Sequence, residues 1–179
     1  RDRVRERGTE GINGLERGSY YVATLHRPDN TDDAHRLAGI VDALASLDRP
    51  VALLAHPRLR GNAATFGISL ERPMIRVHDP LPYSRLVAAV MASAGVITDS
   101  GGLQKEAFLL RVPTTTVRPE TEWTETVEFG WNVLAAEPEN IVDAVKRPAP
   151  KATDAAPYGD GHAADRAVDA IIDATIIPV

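Results

Sequence analysis

Thr98-Asp99-Ser100-Gly101-Gly102-Leu103-Gln104-Lys105-Glu106-Ala107 reads as the end of a strand, a turn of small residues and the start of a helix. The segment before it, Gly95 to Thr98 (GVIT), is short, apolar and β-branched, as a buried strand requires. Glycine at 101 and 102 lets the backbone approach a ligand closely. The unpaired N–H groups of the first helical turn, aligned with the helix dipole, then favour an anion such as a diphosphate. Ser100 adds a hydroxyl donor, and Glu106, near the first turn, offers a carboxylate to ribose hydroxyls. Leu103, Ala107 and Leu110 share the helix face that packs on a sheet. By itself Ser-Gly-Gly is equally the signature of an ordinary helix cap, so the flanking segments decide.

Strand-like and helix-like pieces alternate on both sides of this stretch, the pattern of a parallel sheet covered by helices. Strands are expected at Tyr20 to Leu25, Val51 to Ala55, Met74 to Val77, Gly95 to Thr98, Thr114 to Val117 and, as an edge, Asn132 to Leu134. Asp32 or Asp33 caps a helix whose apolar positions Leu37, Ile40, Val41, Leu44 and Leu47 follow the helical period. Further helices are expected at Arg58 to Phe66, Leu86 to Ala94, from Gly101 onward, Glu122 to Phe129, Ile141 to Val145 and Ala163 to Ile172. Pro148, Pro150 and Pro157 interrupt the pattern before the last of these. The fold class is therefore α/β, a Rossmann-like doubly wound, mostly parallel sheet. In such sheets ligands sit beyond the carboxyl ends of the strands. His26-Arg27, His56, Asp99 to Gly102, and Arg118 with Glu122 all fall at that edge.

The 179 residues carry a net charge of -5, with lysines and arginines scattered, so no basic stripe is available for nucleic acid. Without cysteine, disulfides, thiolate metal sites and a cysteine nucleophile are excluded, which fits a cytoplasmic protein. No His/Asp/Glu spacing suggests a metal. The longest nearly apolar run, Leu86 to Ile97, falls short of the roughly 20 residues a membrane helix needs. The charged start Arg1-Asp2-Arg3-Val4-Arg5-Glu6-Arg7 lacks the apolar stretch of a signal peptide. His35, His78 and His162 have no motif around them and read as surface residues.

Several stretches together resemble the non-hydrolysing UDP-N-acetylglucosamine 2-epimerases, which have the GT-B fold. They are TLHRPDN (Thr24 to Asn30), HPRLR (His56 to Arg60), PLPY (Pro80 to Tyr83), TDSGGLQKEA (Thr98 to Ala107), RPETEWTETVEFG (Arg118 to Gly130) and YGDGHAADRAVDAI (Tyr158 to Ile171). The family's forms are similar: TLHRxEN, HPRxR, PLxY, TDSGGxQEEA, RxxTERPExxxxG and YGDGxAAxRI.

The resemblance implies the C-terminal, UDP-binding half of a GT-B enzyme that removes the C2 proton, expels UDP to give a 2-acetamidoglucal, and re-adds UDP with C2 inverted. On that likeness Ser100, Gly101 and the Gly102 amide contact the diphosphate and Glu106 the ribose. His26 matches the active-site histidine, with Arg27 its basic companion. His56 meets the uracil edge, Arg60 is a phosphate or structural contact, and Arg118 and Glu122 match the arginine and glutamate of RxxTERPE. UDP or a UDP-sugar is the ligand, with no cofactor. Residues 1–19 read as a remnant of the interdomain connection, 20–147 as the UDP-binding domain, and 148–179 as a linker and helix packing back on it. The family's catalytic carboxylates lie in an N-terminal domain that nothing before Tyr20 can supply, so the chain alone is expected to be inactive, and the parent is expected to be a homodimer.

Three departures from the family pattern stand out. Lys105 replaces the first of two acids, Trp123-Thr124 replaces the Arg-Pro of TERPE, and Leu86 stands where some relatives carry an aromatic. These leave two other readings open: a non-catalytic nucleotide-sugar-binding or regulatory module, and a GT-B glycosyltransferase domain.

Overall fold

A computed structural model describes residues 12–175. Of the stretch assigned to the interdomain connection, residues 1–11 lie outside the described residues. The six strands β1 (Tyr21–Thr24), β2 (Val51–Leu54), β3 (Ile75–His78), β4 (Gly95–Thr98), β5 (Thr114–Thr116) and β6 (Asn132–Leu134) form one sheet in the order β3-β2-β1-β4-β5-β6. Every pairing is parallel. Such a sheet needs crossovers, and these are helices: α1 (Pro28–Thr31), α2 (Ala34–Ala45), α3 (Pro57–Thr65), α4 (Tyr83–Ala92), α5 (Gly101–Leu110), α6 (Thr124–Glu128), a 3-10 turn (Pro138–Asn140), α7 (Ile141–Lys146) and α8 (Ala163–Thr175).

The central strands β1, β2 and β4 are largely apolar on both faces because both are covered. Along β1, Tyr20 and Val22 point into one core with Ala89 and Val90 of α4 and Leu103 and Ala107 of α5. Tyr21, Ala23 and Leu25 point into the other, with Leu37, Ile40, Val41 and Leu44 of α2, Leu59 of α3 and Ile141 of α7. Those four α2 side chains are fully buried, which contributes roughly 6–12 kcal/mol of transfer free energy against the ordering of the helix. Asp33 caps α2, accepting from the Arg36 amide at 2.7 Å.

Strands β1 and β4 are neighbours, with Thr24 level with Thr98. The chain builds outward from β1 to β3 on one side and from β4 to β6 on the other. The helices after β1 and after β4 therefore lie on opposite faces, and a crevice opens at the carboxyl ends of these two strands. The Thr24 and Thr98 hydroxyls, 2.6 Å apart, join the strands at its floor.

Most elements stand where the sequence puts them, with shifted ends. Helix α3 begins one residue earlier, at Pro57, and α4 begins at Tyr83, not Leu86. Helix α6 runs only from Thr124 to Glu128. Helix α1 and the 3-10 turn are additions; each starts on a proline whose missing N–H costs nothing at a first helical position. His78 is not a surface residue but half-buried at the end of β3. Beyond α7, Tyr158 docks edge-on against Phe108 of α5, and the Arg111 guanidinium donates to the Ala155 carbonyl at 2.8 Å. Helix α8 itself leaves Val168 and Ile172 exposed.

Candidate functional site

Asp99, the first residue after β4, organises the crevice. Its side chain is completely buried. A carboxylate in that position persists only when its acceptors are used. It accepts from the His26 amide at 3.0 and 3.2 Å, the Arg27 amide at 3.0 Å and Asn30 Nδ2 at 3.1 Å, and pairs with His26 Nδ1 at 2.8 Å. Asn30 also donates to the Val117 carbonyl at 2.9 Å and accepts from Arg36 Nε at 2.9 Å. The loop after β1 is thus fastened to the end of β4 and the start of the loop after β5.

The pairing fixes His26. With Nδ1 turned to Asp99, Nε2 is the free nitrogen of a side chain that is 43% exposed and lines the crevice. His56 caps α3, its Nδ1 accepting from the Arg58 amide at 3.2 Å, so the neutral ring carries its proton on Nε2. The two imidazoles lie 6.2 Å apart, centre to centre. One offers a proton acceptor to the crevice and the other a donor.

Across from them, Ser100 caps α5 and its amide donates to Thr98 Oγ1 at 2.9 Å. A Cβ on Gly102 would meet nothing within 4 Å, so the first turn of α5 is open to solvent. The cleft has a volume of about 380 Å³. His26, His56, Ser100, Gly102 and Glu106 supply its polar groups, and Leu25, Leu54, Pro80, Leu81 and Leu86 an apolar wall. That is room for a nucleoside with an anion at the helix N-terminus. Burial raises the Glu106 carboxyl above the ordinary range, opposed by a hydrogen bond from Tyr83. The Glu106 charge in turn raises Tyr83.

Arg27, Gly101, Arg118 and Glu122 gather on the other flank of α5. Arg118, 8% exposed, forms a bidentate pair with Glu122, both contacts 2.9 Å. Arg27 reaches the same carboxylate at 3.6 Å. The Arg118 hydrogen bonds hold Glu122 down to about 2. Arg27 and Arg118 share the Glu122 carboxylate, and the charges of Glu120 and Asp99 also act on Arg118, so the two cations are balanced within the flank. The fork of Arg118 is spent on Glu122, whereas Glu122, 54% exposed, faces outward. Arg60 lies apart from both groups, paired with Asp79 at 2.9 Å.

Nine of the ten candidate residues, all but Arg60, therefore meet at one sheet edge, in two groups separated by the first turn of α5. The sequence reading placed Asp99 at this edge without giving it a role, and did not single out Asn30. The available signal was their place inside the two motif segments that β1 and β4 carry to the same edge. Among the described residues no group of three His, Cys, Asp or Glu side chains has metal-holding geometry, and no helix is long and apolar enough to cross a membrane.

Comparison with known proteins gives a consistent picture. A family model described as UDP-N-acetylglucosamine 2-epimerase matches residues 1–172. A UDP-2,3-diacetamido-2,3-dideoxy-D-glucuronate 2-epimerase of Pseudomonas aeruginosa is 40% identical over 167 residues, covering 90% of this chain and 46% of the relative. The UDP-GlcNAc 2-epimerase of Methanocaldococcus jannaschii superposes with a TM-score of 0.79 at 29% identity, covering 96% of this chain and 50% of that one. Its structure in complex with UDP-GlcNAc and UDP superposes with a TM-score of 0.78 at 28% identity, over 96% and 49%. The chain spans about half the length of these relatives, and its fold is one half of the two-domain GT-B architecture.

Proposed function

The chain belongs to the UDP-N-acetylglucosamine 2-epimerase family, and on that premise we propose that it is the nucleotide-binding half of an enzyme that inverts C2 of a UDP-2-acetamido sugar. One observation carries the reading: the open N-terminus of α5 and the free nitrogen of the Asp99-held His26 face the same cleft. The diphosphate lies on the Ser100, Gly101 and Gly102 end of α5, where N–H groups and the helix dipole compensate its charge. The ribose lies against Glu106 and the uracil against the apolar wall, with the His56 Nε2–H at its edge. Arg27, Arg118 and Glu122 set the potential on the sugar side.

In the forward reaction the C1–O bond breaks, its electron pair leaving with UDP, and a base removes the C2 proton so that the C2–H pair becomes the C1–C2 double bond. Return of a proton to the opposite face of C2 and of UDP to C1 completes the inversion. His26, beside the diphosphate, accompanies the charge that develops on the leaving oxygen. The steps are redox-neutral and call for no electron carrier. The C2 base belongs to a second, N-terminal domain, so the 179-residue chain binds nucleotide but does not turn over substrate. The parent is a cytoplasmic homodimer that supplies sugars for cell-surface polysaccharide. Incubating the full-length protein with UDP-GlcNAc in D2O tests the reading. The epimer should form carrying deuterium at C2, and turnover by the chain alone would refute the division of labour. An inactive full-length protein that still binds UDP would favour the regulatory module.

A second reading of the sugar has its own support. The Pseudomonas relative at 40% identity acts on a diacetamido uronate. Lys105 also adds positive charge near the site where the family pattern has an acid. Comparing kcat/KM for UDP-GlcNAc and for the corresponding UDP-diacetamidoglucuronate decides between them.

A further inference from the structure

Two of the sequence's departures from its family pattern are in contact. The Lys105 ammonium lies 4.6 Å from the ring centres of both Trp123 and Tyr158. Those rings stand at 89° to each other with centroids 5.6 Å apart, so the cation sits in the corner they form. Lys105 makes no ion pair among the described residues; the two aromatic faces are its counter-charge. Tyr158 is braced in turn by an edge contact on Phe108, at 5.8 Å.

The clamp sets where the other edge of the indole goes. The Trp123 amide donates to Thr121 Oγ1 at 3.0 Å, and Thr121 donates to the buried Gln104 at 2.5 Å, which fixes the backbone against α5. The ring nitrogen then arrives at the first turn of α5: a Cβ on Gly101 would lie 3.6 Å from Trp123 Nε1 and 3.3 Å from Glu122 Oε2. This N–H has no hydrogen-bond partner among the described residues. A cation on the face of an indole draws electron density from the ring and makes its N–H a stronger donor.

We propose that Trp123 contacts the substrate, its indole N–H, aimed by the Lys105–Tyr158 clamp, donating to the diphosphate bound at the N-terminus of α5. The inference rests on the nucleotide-binding reading above. In this chain a neutral donor with a cation behind it replaces the arginine of the family pattern, and Lys105 is a positioning residue for that donor. A side chain at Gly101 would press on the Glu122 carboxylate and reach contact distance of the indole nitrogen, narrowing the gap between the indole and the helix end.

The chain has two tryptophans, and the Trp131 Nε1 is buried away from the site, so each indole N–H reports separately. Titration of the 15N-labelled 179-residue chain with UDP should move the Trp123 indole signal downfield and leave that of Trp131 in place. Trp123→Phe keeps a ring for Lys105 but removes the donor, and should weaken UDP binding roughly tenfold or more. Lys105→Met should reduce the downfield movement and the affinity together, whereas a purely structural lysine would leave the movement intact. UDP binding with an unmoved Trp123 signal, or with equal affinity in Trp123→Phe, overturns the proposal. Absence of UDP binding by the wild-type chain instead overturns the reading on which it rests.

Discussion

Replacing Asp99 by asparagine preserves the shape of the side chain and removes its charge. In the wild type the carboxylate accepts three N–H groups, those of the His26 amide, the Arg27 amide and Asn30, and holds the His26 ring at 2.8 Å. The asparagine carbonyl can stand where Oδ2 stands and keep those three partners. Each then exchanges a charge-assisted bond for a neutral one, weakening by roughly 1 kcal/mol, so the domain should lose about 3 kcal/mol of stability. That is a large part of the ~5–15 kcal/mol typical of a domain, yet leaves it folded. The carboxamide NH2 then faces His26 Nδ1 and can only donate to it. The imidazole must take the opposite tautomer, with its proton on Nε2 and no acceptor toward the cleft. Urea unfolding followed by circular dichroism reads the first consequence, and long-range 1H–15N correlation of the ring nitrogens reads the second. A loss below about 1 kcal/mol together with an unchanged tautomer would refute the assignment of Asp99 as the organiser of His26.

Three further outcomes follow from the same geometry. Tyr20→Phe removes the buried hydroxyl that donates to the Ala89 carbonyl at 2.8 Å, and should cost about 1 kcal/mol in urea unfolding; no change would mean that the bond contributes nothing net. Arg118 holds the Glu122 carboxyl near 2, below the ordinary 4.5 of a glutamate, so this pair stabilises the fold above pH 4.5 and the contribution disappears as pH falls through about 2. Glu122→Gln should accordingly show a shallower fall of the urea midpoint across that window, and parallel curves would contradict the pairing. Burial raises Glu106, so it takes up a proton at higher pH than an ordinary glutamate and should release the ribose hydroxyls on acidification. UDP affinity should therefore weaken as pH drops toward the acid range in the wild type, and stay weaker but flatter in Glu106→Gln.

The sheet was legible because its strands are buried on both faces, so runs such as Val51–Leu54 and Gly95–Thr98 stand out between helical periods. Helix α1 was not, because its four residues are too few to show a period; only Pro28 at its start marks it. The edge itself was legible, since His26, His56, Ser100 and Arg118 each stand at or just past the end of a strand segment. Asp99 was quoted in the motif, but its role depends on β1 lying beside β4, which places residues 72 and 73 positions apart on one carboxylate. Lys105 and Trp123 likewise read as separate oddities, because nothing in their spacing says that a third residue, Tyr158, brings them into one cluster. The i, i+4 pairing of Arg118 with Glu122 was visible as a spacing, but its bidentate geometry depends on the loop between β5 and α6.

Calorimetric titration of the 179-residue chain with UDP, alongside uridine and the Ser100→Ala variant, tests the nucleotide-binding claim most directly. The account predicts one site for UDP, binding to uridine weaker by well over tenfold because the α5 N-terminus goes unused, and an intermediate loss for Ser100→Ala. Equal affinity for UDP and uridine, or no heat with either, would contradict it.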